Sequence, residues 1–550
     1  MRRSALGLAS VWLLLAFTAC QPIPASPAPS DSPPAPSPPA GACAVGEPTT
    51  YQGRTLNFLS TCGSAIVDAE GRAVLLAGVN WFGMETDTRA PHGLWARNWE
   101  EMLDQIVALG YNTIRLPFSS ELFDPSRRPE GIDERLNPDL AGLTGLEIMD
   151  RIVVGAGERG LKVILDRHRI TTDGQSKLWY SDEMSEEQWI ADWVALARRY
   201  RYNDAVIGAD LHNEPAGDAS WGTGDPKTDW RLAAERAARA IHEVNPDWLI
   251  FVEGVEKTED DFGNVLDWFW MGGALQNARI FPVRLDVPNK LVYSPHDYGP
   301  GVYLQSWFLD PEFPENLPKV WDYHWGYLVK EGVAPVLLGE FGGRSVGDDR
   351  EGQWQRRLVQ YLRDNGIHYT YWSFNGNSGD TGGILADDWV SVNQDKQALL
   401  STHQGKLLGN ANPTFVDETV APGPRPSWKP LRVLQQDRNE EEWTTALTPE
   451  VHLANKTGEP VGLGDVEVRY WFTPEGQVRP EDLLVKVVGA GFGIVEPKPV
   501  DPRQVRVEVG VEPYEIVPRQ PLYFVKLTFA PDLQVPQRAT LGVRLRVEAR

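Results

Sequence analysis

The sequence predicts an α/β fold, a (β/α)8 TIM barrel, followed by a smaller all-β sandwich domain. Eight short apolar runs recur between residues 75 and 373, and most are separated by amphipathic helical stretches such as Asn98–Leu109 and Asp229–Val244. This alternation is typical of a barrel of parallel strands. After a Pro-rich break at residues 421–426, the later runs alternate apolar and polar residues with a period of two, as antiparallel strands do. The length of 550 residues also favours more than one domain.

The N-terminus has the features of an export signal. Two arginines precede an apolar run from Ala5 to Ala19, which is shorter than a mature membrane-spanning helix. The run ends in Thr18-Ala19-Cys20, which resembles a bacterial lipobox. We therefore expect residues 1–20 to be a signal peptide with lipidation at Cys20, and secretion without a lipid anchor stays open. Either route places the protein outside the cell or on its surface.

Residues 21–63 are predicted to be a linker and N-terminal extension. Nine of the 22 residues from Gln21 to Ala42 are Pro, with Ala and Ser making up most of the rest. Such a segment cannot bury a core and forms a semi-extended spacer. Export permits a disulfide between Cys43 and Cys62, but the sequence does not decide whether it forms.

The predicted barrel domain covers residues 64–415. In this fold the active-site residues lie at the C-terminal ends of the strands, so the polar residues that close each run are candidates. Glu253 closes the fifth run outside any motif and is expected to be structural. The eight runs are Leu75–Asn80, Tyr111–Leu116, Leu161–Asp166, Val206–Leu211, Trp248–Glu253, Leu291–His296, Ala334–Gly339 and His368–Ser373.

A Pro-rich linker is predicted at residues 416–427, followed by the sandwich at 428–550. The alternating runs in this last part include Val466–Phe472, Arg503–Val509 and Leu541–Val547. Short alternating strands bounded by Pro and Gly are typical of a sandwich of two antiparallel sheets.

Composition excludes several classes of function. A net charge of −23 argues against binding to nucleic acid or docking on an anionic membrane through basic residues. We expect no cofactor and no metal, because three Cys cannot form a multi-Cys zinc site and His168, His212 and His296 lack a ligand spacing. Most of the 21 Trp residues should be core residues, but flat apolar rings also suit stacking on sugar rings.

Two carboxylates stand out at the predicted strand ends. Glu214 follows the fourth run and Glu340 the seventh. Glycoside hydrolysis needs such a pair, one protonated to donate to the leaving oxygen and one ionised. Their surroundings must therefore drive the two pKa values apart. Arg115 and Tyr298 are the candidates to keep Glu340 ionised, and His296 is the candidate partner of Glu214.

Several motifs at these positions resemble glycoside hydrolase family 5, in particular its bacterial endoglucanase branch. The resemblance covers about residues 65–400. The motifs are Val79-Asn-Trp-Phe-Gly83, Tyr111-Asn-Thr-Ile-Arg-Leu-Pro117, Ile164-Leu-Asp-Arg-His-Arg169, Asp210-Leu-His-Asn-Glu-Pro215, Leu291-Val-Tyr-Ser-Pro-His-Asp-Tyr298, Leu338-Gly-Glu-Phe-Gly342 and Ser378-Gly-Asp-Thr-Gly-Gly-Ile-Leu385.

The resemblance implies a role for each matching residue. Glu340 would be the nucleophile, Glu214 the acid and then the base, and Asn213 the partner of the sugar 2-hydroxyl. The residues that would position and tune the carboxylates are Arg115, His168, His296 and Tyr298. Trp372 would form the floor under the ring that is cleaved, with Trp81 and Trp270 in flanking subsites.

The beginning of the C-terminal region resembles a family 3 carbohydrate-binding module. The similar stretches are Leu431–Leu434, Pro449–Gly458 and Val461–Thr473. Beyond these stretches the match is poor, so a sandwich that does not bind sugar stays open.

The sequence therefore predicts an exported, retaining endo-β-1,4-glucanase that acts on a β-glucan polysaccharide as a monomer. A mannanase or another β-glycanase on the same catalytic frame stays open. A non-catalytic, carbohydrate-binding surface protein is disfavoured, because a pure binder does not need the carboxylate pair and its supporting residues. Contact with a membrane is expected only through the N-terminal lipid.

Overall fold

The computed structural model describes residues 6–7, 46–259, 265–423, 431–437, 443–444, 446–455, 460–472, 483–492, 498–512, 522–536 and 539–549. They fall into two compact units, one from residues 46 to 423 and one from 431 to 549 together with Leu6 and Gly7. Apart from those two residues, the predicted signal peptide with Cys20 lies outside the described residues, as do residues 21–45 of the first predicted linker, which include Cys43, and residues 424–427 of the second.

The first unit contains eight parallel strands, one in each of the predicted runs, so the barrel prediction is confirmed. They are β1 (Ala77–Asn80), β2 (Thr113–Ser119), β3 (Lys162–Arg169), β4 (Val206–Asp210), β5 (Leu249–Val252), β6 (Leu291–Tyr293), β7 (Leu337–Leu338) and β8 (His368–Tyr371).

The strands close into a barrel through a seam between β6 and β7. The hydrogen-bonded order is β6-β5-β4-β3-β2-β1-β8-β7. Two parallel bridges, Tyr293–Val336 and His296–Glu340, join the ends of this order. The N–H of Asp297 also donates to the carbonyl of Glu340 at 3.1 Å. The seam therefore runs through the C-terminal end of the barrel, where the candidate residues lie.

Helices surround the barrel and bury their apolar faces against it. For example, Met102, Leu103 and Ile106 of the first helix are fully buried. The helices are α1 (Trp99–Ala108), α2 (Gly145–Glu158), α3 (Glu186–Arg199), α4 (Trp230–Val244), α5 (Leu317–Trp321), α6 (Tyr327–Lys330), α7 (Arg350–Asn365) and α8 (Gln394–Leu400).

Local sequence explains where these helices begin and end. Thr144 and Glu147 form a capping box at the start of α2, in which each side chain accepts the other residue's backbone N–H. Gly366 ends α7 with a φ of 64°, a left-handed conformation that costs glycine little. Between β5 and β6, the described residues form a hairpin, Lys257–Glu259 with Val265–Trp268, and a 3₁₀ turn at Gln276–Arg279.

Residues that precede the barrel cover its N-terminal end. A hairpin joins Thr50–Tyr51 to Arg54–Thr55, and a small antiparallel sheet follows with strands Ser60–Cys62, Ala65–Val67 and Ala73–Val74. From this segment, Leu59 and Ile66 join the buried cluster that the inward-facing residues Ile164, Ile207 and Val292 form inside the barrel. The segment thus closes the end of the barrel opposite the candidate site.

Asp204 ties both ends of the barrel unit to that face. Its fully buried carboxylate accepts the N–H groups of Asn57 (2.8 Å), Ala411 (2.7 Å) and Asn412 (2.8 Å). Each of these bonds joins residues distant in sequence, so one side chain fixes where the chain enters and leaves the barrel.

Cys62 is disulfide-bonded. Its partner lies outside the described residues, so the pairing with Cys43 remains a prediction.

The second unit is an all-β sandwich, as predicted. One sheet contains Leu431–Asp437, Ala446–Leu447, Pro449–Asn455, Leu483–Phe492, Lys498–Pro499 and Thr540–Ala549. The other contains Glu467–Phe472, Val505–Glu512 and Leu522–Phe529. Leu453 and Val543 of the first sheet share one core with Leu527 of the second. A short pair, Val461–Gly462 with Gln534–Val535, and the pairing of Leu6–Gly7 with Trp443–Thr444 complete the unit.

In the part of the chain that the structure describes, no helix has both the length and the apolar character needed to cross a bilayer.

Replacing Asp204 with Ala should lower the free energy of unfolding by about 3 kcal/mol, because three partly buried backbone N–H groups would lose their charged acceptor. Urea unfolding followed by far-UV circular dichroism measures this loss. The exposed Asp182→Ala is the matched control and should change stability by less than about 0.5 kcal/mol. Equal effects in the two variants would contradict the role of Asp204.

Candidate active site

Arg115 lies at the centre of the C-terminal mouth of the barrel. β2 carries it there, and its side chain is fully buried. The guanidinium contacts the ends of five other strands. Its partners are Asn80 (3.0 Å), Asp166 (3.1 Å), Asp210 (2.9 Å), Asn213 (2.9 Å), Glu253 (3.2 Å) and Glu340 (2.6 Å).

Glu340 follows β7 and is held at both oxygens. Oε1 accepts from Arg115 at 2.6 Å, and Oε2 accepts from the hydroxyl of Tyr298 at 2.6 Å. Nδ1 of His296 lies 3.6 Å from Oε2. Burial by itself would raise the pKa of Glu340, but the charges of His296 and Arg115 and the Tyr298 hydrogen bond outweigh it and hold the pKa at about 2. Glu340 is therefore ionised at neutral pH.

Glu214 lies beyond the end of β4 in an unusual backbone conformation. Its φ is 53°, a region that is uncommon for residues other than glycine and often marks an active site. The backbone N–H donates to Glu253 at 2.7 Å, and the side chain contacts Nδ1 of His296 at 3.1 Å. Burial raises the pKa of Glu214, although the hydrogen bond from His296 opposes this. The pKa values of Glu214 and Glu340 are thus driven in opposite directions.

His296 connects the two carboxylates. Besides Glu214 and Glu340, it contacts Glu253 at 3.3 Å through Nε2. Burial would lower its pKa, but the surrounding charges of Glu253 and Glu340 raise it well above the ordinary value. The imidazole is therefore positively charged and lies between the carboxylates of Glu214, Glu253 and Glu340. Glu253 is fully buried and supports Arg115, His296 and the Glu214 N–H, in line with the structural role predicted for it.

His168 lies on the opposite side of Glu340. Its Nδ1 contacts Asp166 at 2.7 Å, and its ring stacks on Trp372 with centroids 5.5 Å apart and planes 11° from parallel. Burial lowers its pKa well below the ordinary value, so it is neutral. The contact with Asp166 fixes the position of the ring, whose Nδ1 lies 3.9 Å from Oε1 of Glu340.

An open cleft of about 600 Å³ contains both candidate carboxylates. Trp372, predicted as the floor of the site, is half-buried along this cleft and also stacks on Phe82 at 5.3 Å. Trp270 also lines the cleft. Asn213 lies beside Glu214 and is fixed by Arg115. The structure therefore gathers nine of the ten predicted catalytic and support residues at one place.

Trp81 is the exception, and its prediction as a subsite residue is wrong. Its side chain is fully buried, its N–H donates to the carbonyl of His92 at 3.0 Å, and its ring packs against Phe374. Successive side chains of a strand point to opposite faces, so at the end of β1 it is Asn80 that faces the barrel interior and reaches Arg115. Period-two counting could have identified Asn80.

Other cleft residues were missed because they lie in the segments that follow β5 and β6. Trp268 ends the hairpin after β5, Met271 lies just beyond it, and Tyr303 follows β6. No periodic signal distinguishes such residues in the sequence. Asp210 was also missed, although it begins the motif that contains Glu214 and is the last residue of β4, where it accepts a hydrogen bond from Arg115.

Among the residues that the structure describes, two groups of donors have the spacing of a metal site: Asp166, His168 and Glu340, and Glu214, His296 and Glu340. Both share Glu340, whose two oxygens already accept short hydrogen bonds from Arg115 and Tyr298. Hydrogen bonding accounts for the arrangement of both groups.

Comparison with known proteins identifies the family. The protein-family model described as Cellulase (glycosyl hydrolase family 5) matches residues 67–378, more than half of the chain. The chain belongs to glycosyl hydrolase family 5. It is thus a glycoside hydrolase, and the resemblance seen in its motifs is confirmed.

Two bacterial endoglucanases are similar to more than half of this chain. An endoglucanase of Paenibacillus polymyxa is 55% identical over 344 residues, covering 62% of this chain and 86% of the relative. The major extracellular endoglucanase of Xanthomonas campestris pv. campestris is 47% identical over 350 residues, covering 63% and 71%.

Solved structures of an endocellulase are also similar to this chain. A hyperthermophilic endocellulase of Pyrococcus horikoshii matches with a TM-score of 0.59 and 45% identity, covering 63% of this chain and 98% of that one. One structure of that endocellulase is a complex of a variant with cellotetraose, and it matches with a TM-score of 0.59 at 44% identity over the same shares.

Replacing Tyr298 with Phe should raise the pKa of Glu340, because one of the two donors that stabilise its ionised form would be lost. Hydrolysis needs one carboxylate ionised, so activity is lost as the pH falls through that pKa, and the acid limb should move to higher pH by about one unit. The pH profile of kcat/KM measures the shift.

Tyr369→Phe is the matched control, since the Tyr369 hydroxyl makes only a 3.5 Å contact with the carbonyl of Leu400. Its acid limb should stay in place. An unmoved acid limb in Tyr298→Phe would show that the hydroxyl does not tune Glu340.

Proposed function

We propose that the protein is a retaining endo-β-1,4-glucanase, which hydrolyses internal β-1,4 bonds of cellulose or related β-glucans by double displacement. The observation that carries this proposal is the carboxylate pair. Glu340 has its pKa lowered to about 2, Glu214 has its pKa raised, and both face one cleft. A pair of carboxyl groups with one ionised and one protonated is what acid-assisted displacement at an anomeric carbon requires.

In the first step, an ionised oxygen of Glu340 attacks the anomeric carbon while the protonated carboxyl of Glu214 donates its proton to the leaving oxygen. This breaks the glycosidic bond and forms a glycosyl ester. In the second step, Glu214 takes a proton from water, and the resulting hydroxide displaces Glu340. His296 contacts both carboxylates and stabilises the negative charge that moves between them.

The surrounding residues orient the reacting groups. Arg115 and Tyr298 each hold one oxygen of Glu340, which limits its rotation. Asn213, fixed by Arg115, is placed to bind a sugar hydroxyl as charge develops on the ring. Trp372, braced by His168 and Phe82, offers a flat face for the ring that is cleaved.

The spacing of the carboxylates supports retention. An oxygen of Glu214 and an oxygen of Glu340 lie within 4.8 Å of each other. Retaining enzymes hold their carboxyl groups about 5–5.5 Å apart, whereas inverting enzymes leave about 6.5–9.5 Å for a water molecule. The short separation of the two oxygens therefore supports the retaining arrangement.

The relatives support the substrate class. Those described above are endoglucanases, and one structural relative forms a complex with cellotetraose. The same frame could carry a different sugar specificity, since hydroxyl orientation is read by loop contacts.

The purified protein should release reducing ends from soluble cellulose and mixed-linkage glucan, and little from mannan or xylan. Glu340→Gln should reduce this activity by at least about 10⁴-fold, because an amide cannot act as the nucleophile. Glu158→Gln, on the exposed side of α2, is the matched control and should keep it. Activity on mannan alone would overturn the substrate, and undiminished activity of Glu340→Gln would overturn the mechanism.

Proton NMR of cello-oligosaccharide hydrolysis should show the β-anomer of the new reducing end before the α-anomer appears by mutarotation. Two displacements at the same carbon restore its configuration. Initial formation of the α-anomer would mean an inverting mechanism and contradict the proposal.

We further propose that the protein is exported and anchored by a lipid at Cys20, on the basis of the N-terminal sequence. Radiolabelled palmitate should be incorporated by the wild type and by the control Cys43→Ala, but not by Cys20→Ala. Equal labelling of all three would leave simple secretion as the route.

A further inference from the structure

The motif Ser378–Leu385 forms a loop that follows β8 and reaches the cleft. Asp380 from this loop lines the cleft together with Glu340 and Trp372. Its side chain is exposed, and Oδ1 accepts the N–H of Thr381 at 2.8 Å. Oδ2 is therefore left to accept a hydrogen bond from a hydroxyl of a bound sugar. An ionised carboxylate is a strong acceptor for such a bond.

Two cationic side chains bind the backbone of this loop. Lys396 belongs to the first turn of α8, and Arg344 follows β7. Together they donate to five successive carbonyl groups. Arg344 binds those of Gly379 and Asp380 (3.1 Å), and Lys396 binds those of Thr381 (3.0 Å), Gly382 (2.8 Å) and Gly383 (3.3 Å). A curled backbone directs the carbonyls to the two cations, and Gly382 permits the curl with a φ of 63°.

Lys396 uses all of its donors on the loop. An ammonium group has three N–H donors, and Lys396 binds three carbonyls. Its side chain is only 2% exposed, and lysine is seldom buried to this extent unless its charge is matched. Burial lowers the pKa of Lys396 to about 8, so most of it is protonated at neutral pH. The carbonyls compensate for the buried charge, and the shape of the loop therefore depends on Lys396.

The end of the motif is fixed without either cation. The N–H of Ile384 donates to the carbonyl of Ser373 at 2.8 Å, which joins the loop to the residues that follow β8. The part from Gly379 to Gly383 is thus the part whose shape depends on the two cations. Asp380 lies in this part, so the cations also determine where its carboxylate lies in the cleft.

Lys162, at the opposite end of the barrel, is a comparable lysine that binds no part of the cleft. It is fully buried and donates to the carbonyls of Asn57 and Asp204, each at 2.8 Å. Burial lowers its pKa to about 8 as well. Lys162 and Lys396 therefore match in burial and in bonding and differ in what they hold. This match separates an effect on stability from an effect on the cleft.

We propose that Lys396 and Arg344 are positioning residues for hydrolysis, which hold the loop so that Asp380 binds a hydroxyl of the substrate. The proposal rests on the proposed function, because it concerns the same cleft and the same reaction. Neither cation is among the residues that line the cleft, and both act through Asp380. A hydrogen bond made equally in the bound substrate and in the transition state contributes to KM and not to kcat.

Lys396→Met should raise the KM for cellotetraose about tenfold and change kcat by less than about twofold, because the loop loses three donors while Glu214 and Glu340 keep theirs. Lys162→Met is the matched control and should keep KM within about twofold of the wild-type value. Steady-state kinetics of the full chain measure both constants, with the products quantified by chromatography. Partial unfolding lowers the apparent kcat and not KM, so a loss of stability does not imitate the effect.

Asp380→Asn tests whether the effect passes through Asp380. By itself it should raise KM about tenfold, and adding Lys396→Met to it should raise KM by less than about twofold more. Arg344 is exposed, so Arg344→Met should fold even if Lys396→Met does not. It should show the same pattern, with a higher KM by itself and no further rise when combined with Asp380→Asn.

A wild-type KM in both Lys396→Met and Arg344→Met would overturn the proposal. Equal increases of KM in Lys162→Met and Lys396→Met would overturn it too, as would effects that multiply with that of Asp380→Asn. Any of these results, together with cleavage of cellotetraose by the wild type, leaves the endoglucanase proposal standing. If the folded wild type cleaves neither cellotetraose nor soluble cellulose, both proposals fail.

Discussion

The candidate site depends on the burial of one guanidinium. Arg115 is fully enclosed, and it makes contacts of 2.6–3.2 Å with groups from five neighbouring strand ends. A buried cation is tolerated only when its charge and its donors are matched, so the six partners cannot move independently of it. The position of Glu340 and Asn213 is therefore set by the same group that keeps the barrel mouth together. A change in the position of any of the six partners therefore alters the positions of the others through Arg115.

Excess acid in this cluster explains why the two carboxylates differ. Asp166, Asp210, Glu214, Glu253 and Glu340 face two buried cations, Arg115 and His296. Burial raises the pKa of Asp166 to about 7 and that of Asp210 to about 6 against the pull of Arg115. Glu340 contacts both cations and Tyr298, so it keeps its charge. Because the cluster holds more acids than cations, some of its carboxyl groups must be protonated, and the supporting acids take up part of these protons. Glu340 therefore stays ionised close to Glu214, which carries a proton.

The sequence predicted the barrel well because each strand is short, apolar and closed by a polar residue. β2 has seven consecutive buried residues, a pattern that only a strand covered on both faces shows. Motifs at the strand ends then placed Glu214, Glu340 and Arg115 together. The error at Trp81 came from considering residue type before strand direction: its neighbour Asn80 faces the barrel interior, whereas the Trp81 ring is buried against Phe374 and bonds to His92. The cleft residues Met271, Val302 and Tyr303 could not be predicted, because loop conformation follows from tertiary contacts and not from a repeat in the sequence.

The three hydrogen bonds to the Asp204 carboxylate bring the two ends of the barrel unit together. The carboxylate binds Asn57 on the way into the barrel and Ala411 and Asn412 on the way out, at the end opposite Arg115. The two ends of the barrel unit are therefore neighbours. A short connection between them would permit circular permutation, with new termini opened in a helix-to-strand loop on that same closed face. Asn57 and Asn412 thus mark an entry and an exit of the chain that lie side by side at the end of the barrel remote from the cleft.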